Sequence, residues 1–192
     1  MELTNLADIK KLLLKNGIVL TKARGQNFII NPSVCPRMAE ECGAGKDDGV
    51  LEIGPGIGVL TAELAKVAGR VVSIELDSGL VPILSETLSN FDNVKIIEGD
   101  ALKLNLKEII EREFSGKKVF VCANIPYNIS SKLVMKLLES NLNIEAVTVM
   151  VQKEFADRIC AKVGSRQSGA ITVGAAFFAS CTELFGVSAG SF

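Results

Sequence analysis

An α/β fold built on a mainly parallel central sheet is what this sequence predicts, on three observations. Short apolar runs at 50–53, 71–75, 94–98, 119–122 and 146–151 alternate with amphipathic stretches at 59–67, 79–88, 106–111 and 131–138. Strands that take turns with helices in this way pair in parallel and are covered on both faces. Gly54, Gly56 and Gly58 form a turn directly after the first run and ahead of a helix, the place where an open parallel sheet brings backbone amides to a ligand. With 192 residues, 48% of them hydrophobic and 22% charged, the chain suits one domain with a substantial core.

Taken in order, Leu6, Ile9, Leu12 and Leu13 recur at helical spacing and predict a first helix. Residues 21–30 have no clean period and read as an ordered loop. Asn31 and Pro32 predict the next helix start, the asparagine as cap and the proline in the first turn. Val34, Met38, Ala39 and Cys42 supply that helix's inner face, and Gly43 and Gly45 end it. Beyond the fifth strand the pattern predicts a helix over 152–161, a small-residue helix over 169–179 and a last strand over 182–187. No helix or strand is left after that to close the sheet, so a truncated chain is expected.

Bulk properties narrow the function. The 21 basic and 22 acidic residues nearly cancel, so no chain-wide field holds polyanions, and any nucleic-acid contact must use a local patch. Lys22 and Arg24, or Lys153, Arg158, Lys162 and Arg166, could form one, or the second group could be a solvated helix face. Five cysteines at 35, 42, 122, 160 and 181 form no Cys-x-x-Cys pair and there is no histidine, so no metal is expected and the thiols read as free and mostly buried. The N-terminal segment mixes charges among its leucines and lacks the apolar stretch of a secretory signal. No run approaches the roughly 20 residues that span a bilayer. The expected location is cytoplasmic, with no membrane partner.

The chemistry is carried by groups at successive strand ends. Leu51-Glu52-Ile53-Gly54-Pro55-Gly56-Ile57-Gly58 spaces its glycines as Gly-x-Gly-x-Gly, with an acid two positions ahead of the first. That spacing favours an adenosyl-sulfonium cofactor over a pyrophosphate one, although a tight strand-to-helix turn also uses glycine. Glu75 ends the second strand, where a carboxylate can accept from ribose hydroxyls. Asp100 follows the third, where it can accept from an adenine amine. Each acid alone could be a solvated strand end or a helix cap; together with the glycine turn they make three successive strand ends that each present the group a nucleoside cofactor needs.

Asn124-Ile125-Pro126-Tyr127 follows the fourth strand. An adenine amine is a poor nucleophile because its lone pair is delocalised into the ring, so a site must accept its protons and favour the pyramidal nitrogen of the transition state. The Asn124 side-chain oxygen and the Ile125 carbonyl are candidate acceptors. Pro126 fixes the turn, and Tyr127, the only tyrosine, can stack on a flipped base. The plainer alternative is an Asx-capped turn with a core tyrosine.

These residues resemble the ribosomal RNA adenine N6,N6-dimethyltransferases, and within them the small-subunit branch linked to kasugamycin sensitivity. Gly25-Gln26-Asn27-Phe28-Ile29 resembles that family's first motif, 51–61 its cofactor loop, Asn124-Ile125-Pro126-Tyr127-Asn128-Ile129-Ser130 its catalytic motif and Met150-Val151-Gln152-Lys153-Glu154-Phe155-Ala156 a fourth. The resemblance implies a Rossmann-like methyltransferase fold. It implies one catalytic domain over 1–192, with an N-terminal helix and loop at 1–45 and a cofactor-binding core at 46–192. It also implies S-adenosylmethionine as cofactor and S-adenosylhomocysteine as product, with contacts at Asn27, Ile29, Gly54, Gly56, Glu75, Asp100 and Asn124. Residues Asn124 to Tyr127 also hold the target base. The implied reaction places two methyl groups on each of two adjacent adenines in a hairpin near the 3′ end of small-subunit rRNA, within a pre-ribosomal small subunit.

Some positions depart from that pattern. Ile29 and Ile125 replace commoner leucines, and in the segment 167–173 Ser168 and Ala170 stand where aromatic and basic residues are common, which weakens a role for that segment in gripping RNA. Residues 186–192 resemble the start of a final motif that ends the chain on its phenylalanine. The family continues with an antiparallel strand and a small helical domain, both expected to be absent. Two rivals share the chemistry or the fold. A protein-glutamine N5-methyltransferase uses a similar tetrapeptide but usually carries a second proline in place of Ile125. A non-catalytic nucleic-acid-binding relative has no need of Gly54, Glu75, Asp100 and Asn124. A dehydrogenase would space its glycines differently.

Overall fold

The structure, a computed structural model, describes residues 3–18 and 28–192. Helix α1 (Leu6–Lys15) starts at Asn5, whose side-chain oxygen accepts from the amides of Ala7 and Asp8 at 2.9 and 3.3 Å. It buries Ile9, Leu12 and Leu13, three of the four residues whose spacing predicts it. Helix α2 (Val34–Glu41) starts later than the Asn-Pro pair suggests. The Asn31 oxygen accepts from the amide and the hydroxyl of Ser33 at 3.0 and 2.8 Å, so it closes a turn before the helix and does not cap it.

Five strands follow: β1 (Gly49–Ile53), β2 (Arg70–Glu75), β3 (Val94–Glu98), β4 (Val119–Asn124) and β5 (Ala146–Met150). They pair in parallel in the order β3-β2-β1-β4-β5. The connecting helices are α3 (Val59–Val67), α4 (Val81–Thr87), α5 (Leu106–Glu113) and α6 (Ser130–Glu139). Helices α7 (Lys153–Ile159) and α8 (Ala170–Phe178) come after the sheet.

Strand residues alternate between two apolar layers, which is why β1, β2 and β4 are almost wholly buried. Leu51, Ile53, Val72, Ile74, Val121 and Ala123 meet α5 and α6 on one face. Val50, Val71 and Cys122 meet α2 and α3 on the other. A third cluster joins α1 to Ile57 and Ile83 beside the glycine turn. The α/β prediction is thereby met, and the sheet is parallel throughout.

The strand expected over 182–187 does not form: 180–187 makes no backbone–backbone hydrogen bond among the described residues. Side chains hold it instead. Phe185 and Val187 pack on the α2–α3 layer, with the Arg37 guanidinium 4.1 Å above the Phe185 ring. The Ser191 carbonyl then accepts from the amides of Ile30 and Asn31 at 2.8 and 3.3 Å. The amphipathic pattern of 182–187 therefore reports docking rather than sheet pairing.

Candidate active site at the carboxyl edge of the sheet

The chain winds outward from β1 to β2 and β3, then crosses back to β4 and β5, so winding reverses between β1 and β4. A crevice outside the strand ends forms at such a reversal. Register makes its walls level. Glu52 pairs with Cys122 at the end of the β1–β4 ladder, and Gly54 and Asn124 each follow two residues beyond that pair. The ladder runs one residue past three strands: Gly54 donates to the Ile74 carbonyl at 2.9 Å, Gly99 to Glu75 at 2.8 Å and Ile125 to Met150 at 3.1 Å. Asn124 itself still pairs with Met150, so the strand reaches into the tetrapeptide and its geometry is set by the sheet.

Gly54 has φ of 72°, a backbone conformation that L side chains rarely adopt, and among the described residues nothing lies within 4 Å of where a β-carbon would stand. Gly58 serves another purpose. At φ of 91° it opens α3, and a β-carbon there would stand 3.1 Å from the Thr87 hydroxyl and 3.2 Å from Leu88.

Three acids sit around this turn. Glu75 is buried; its two oxygens accept from the amides of Gly56 at 3.2 Å and Asp77 at 2.8 Å, tying the end of β2 to the glycine turn. Burial pushes its pKa up, against the pull of those amides. A carboxylate has about four lone-pair sites, so acceptor capacity remains. Glu52 lies deeper, at 1% exposure, where Oε2 accepts from the hydroxyls of Thr61 and Ser73, both at 2.6 Å. Its Oε1 is the one buried side-chain oxygen without a partner among the described residues. Burial raises its pKa to about 7. Asp100 closes the turn after β3, its Oδ1 accepting from Leu102 N at 2.9 Å. Among the described residues its Oδ2 has only the exposed Lys103 ammonium, at 3.6 Å.

Across the crevice the tetrapeptide turns sharply. Ile125 is buried at 5% exposure, which anchors the turn, while Tyr127 stands 63% exposed. The Pro126 carbonyl accepts from the Ile129 amide at 3.2 Å and the Ser130 hydroxyl at 3.1 Å, passing directly into α6. No hydrogen bond reaches the Asn124 amide among the described residues, so its oxygen is free to accept. Among those residues no group of three or more His, Cys, Asp or Glu is placed to hold a metal ion.

The sequence model of the family described as Ribosomal RNA adenine dimethylase matches residues 20–192. The chain belongs to that family. Among curated relatives, Ribosomal RNA small subunit methyltransferase A of Shouchella clausii is 44% identical over 182 residues, covering 94% of this chain and 62% of that protein. The protein of the same name from Bacillus licheniformis is 40% identical over 179 residues, with 93% and 61% covered. The chain thus spans about three-fifths of the length of these relatives. Among solved structures, a dimethyladenosine transferase from Plasmodium falciparum aligns with a TM-score of 0.64 at 32% identity, over 76% of this chain and 50% of that one. The 23S rRNA methyltransferase ErmE aligns at 0.61 and 34%, over 72% and 53%. The Rossmann-like fold expected of a dimethylase is the fold observed.

Of the site residues predicted from sequence, the fold brings Gly54, Gly56, Glu75, Asp100 and Asn124 to one edge, together with Ile125, Pro126 and Tyr127. Ile29 lies in the α2–α3 core cluster, where its side chain packs inward. Asn27 lies outside the described residues, as do Lys22 and Arg24. Of the remaining basic group, Lys153 is paired with Asp157 at 2.9 Å on its own helix, the solvated-face arrangement. Two residues escaped the sequence reading. Glu52 was visible only as an acid near the glycines. Lys136, which grips the turn after Asp100, has no local signal at all, because its partners lie more than 30 residues away.

Proposed function

We propose that this chain is the catalytic region of an S-adenosylmethionine-dependent rRNA adenine N6,N6-dimethyltransferase of the cytoplasm. Its substrate is a pair of adjacent adenines in a hairpin near the 3′ end of small-subunit rRNA, within a pre-ribosomal small subunit. One observation carries the reading: the Asn124 side-chain amide, which no hydrogen bond reaches among the described residues, and the Gly54 turn each follow two residues after the paired Cys122 and Glu52, on the two sides of the reversal between β4 and β1. The residues present fit the cofactor. Gly54 and Gly56 leave room for it, Glu75 keeps lone pairs for the ribose hydroxyls, and Asp100 Oδ2 is available to the adenine amine. When bound, S-adenosylmethionine supplies an electrophilic methyl group on a positively charged sulfonium.

The chain's part is to hold the target amine. The Asn124 oxygen and the Ile125 carbonyl accept its two N–H groups, which favours the pyramidal nitrogen whose lone pair can attack. The buried Ile125 and the Pro126 turn keep both acceptors aimed, and the exposed Tyr127 ring offers a stacking face to a base taken out of its helix. A side-chain base is not needed, since the proton can leave for solvent once the nitrogen has gained its methyl. The names of the curated relatives favour the small subunit over the large-subunit substrate named for ErmE. None of the relatives described above is named as a protein-glutamine methyltransferase.

The test supplies labelled S-adenosylmethionine and undermethylated small ribosomal subunits, with Asn124→Ala alongside. Label in the 3′ hairpin adenines, absent with the variant, is the expected result. Label in a release-factor protein and none in RNA would overturn the reading.

A further inference from the structure

Lys136 lies in the last turn of α6, the helix into which the target-base turn leads. Its ammonium donates to three main-chain carbonyls at once: Ala101 at 2.9 Å, Leu102 at 2.9 Å and Leu104 at 2.8 Å. Three donors meeting three acceptors saturate an ammonium, and bonds from a charged donor are stronger than neutral ones. All three carbonyls belong to the turn that Asp100 opens. That turn is otherwise held by Asp100 Oδ1 on Leu102 N, by the Asp100 carbonyl accepting from Lys103 and Leu104 at 2.8 and 2.9 Å, and by Leu104 against Gly99. Ala101, Leu102 and Leu104 also pack against the α5–α6 apolar layer, but among the hydrogen bonds of this turn in the described residues only those of Lys136 reach another element.

We propose that Lys136 is the positioning residue for the adenine-recognising carboxylate: it fixes the 101–104 turn, so that Asp100 Oδ2 stays aimed into the crevice. The inference rests on the reading of Asp100 as acceptor for the cofactor's adenine amine, and it adds a physical consequence. Because Lys136 sits on the helix that continues from Asn124–Ile129, one rigid element holds the groups for both adenines, the cofactor's and the target's. Loss of the ammonium leaves three carbonyls of a partly buried turn without their donor, and the turn then relaxes away from the geometry that discriminates an amine.

Selectivity separates positioning from mere support. S-adenosylhomocysteine carries a 6-amine that Asp100 can accept from; S-inosylhomocysteine carries a 6-oxo group that it cannot. Calorimetric affinities for both ligands are measured in the wild type, Lys136→Met and Asp100→Ala. The ratio of affinities is expected to fall about tenfold in Lys136→Met and to vanish in Asp100→Ala, while binding of the inosyl ligand to Lys136→Met changes by less than about threefold. Equal loss of both ligands in Lys136→Met, or an unchanged ratio there while Asp100→Ala abolishes it, overturns the role of Lys136 alone. An unchanged ratio in both variants overturns the reading of Asp100 and this inference with it. Should Lys136→Met fail to fold, Lys136→Gln, polar but too short to reach all three carbonyls, carries the same test. Its ratio is expected to fall about threefold, and a wild-type ratio overturns the inference.

Discussion

The two ends of the sheet treat their glutamates in opposite ways. At the amino end, Glu113 closes α5 and collects three cations: Lys95 at 2.6 Å, Arg112 at 2.9 Å and Arg70 at 3.2 Å. Lys95 first, then Arg112, hold its carboxyl down at about 2. At the carboxyl end, Glu52 and Glu75 have no cationic partner among the described residues, only hydroxyls and backbone amides, and burial raises both. The first arrangement consumes a carboxylate's acceptor capacity and gains stability. The second leaves that capacity open at the cost of stability, as functional sites do.

If that contrast is right, substitutions at the two ends should separate activity from stability. The largest effect is expected from Asn124→Ala, which removes a transition-state acceptor: methyl transfer should fall about 10²- to 10³-fold, while the melting temperature measured by calorimetry barely moves. Glu75→Ala should weaken S-adenosylhomocysteine binding by about tenfold to a hundredfold in a titration, with a far smaller effect on melting. Glu113→Gln should do the reverse, costing about 1 to 2 kcal/mol in urea denaturation and leaving cofactor affinity unchanged; half-exposed partners keep that figure low. Because the Glu113 carboxyl is depressed in the folded state, its contribution is present above the ordinary carboxylate range. It should be lost as pH falls from about 4.5 toward about 2, closing the gap between wild type and variant.

The smallest and most discriminating effect concerns Glu52, whose folded pKa is raised. Its proton stabilises the fold at acid pH and is lost as pH climbs through about 7. Relative to wild type, Glu52→Gln should therefore gain stability between about pH 4.5 and about 7 and hold that gain above. The change with pH is on the order of 1 kcal/mol, while the amide N–H placed where Oε1 has no partner among the described residues offsets the difference equally at every pH. A stability difference that does not change with pH would show that Glu52 binds its proton no more tightly in the fold than in the unfolded chain and would remove the contrast between the two ends.

Particular residues show how far local pattern reaches. The parallel sheet was legible because β1, β2 and β4 are short runs with apolar centres that alternate with amphipathic helices, and a five- or six-residue strand buried on both faces admits little else. Gly54, Glu75, Asp100 and Asn124 were legible because each stands at a strand end, and in a parallel sheet all strand ends share one edge. The run 182–187 misled because alternation signals a half-buried extended segment whether or not a backbone lies beside it. Asn31 misled in a related way: an asparagine oxygen that can cap a helix can equally bond its own neighbour's hydroxyl, as it does with Ser33.

From sequence alone came the α/β class, the glycine turn, the order of acids along the strand ends and the tetrapeptide. All are properties of neighbours in the chain, which periodicity and turn chemistry record directly. Only the tertiary structure decided that Asn124 remains in register with Met150, that Glu52 shares its burial with Ser73 and Thr61, that Lys136 closes on the turn after Asp100, and that Glu113 gathers three cations. The physical reason is common to all four. Each depends on which side chains from distant segments reach the same small volume, and no local signal carries that information until strand register and helix packing have set the distances.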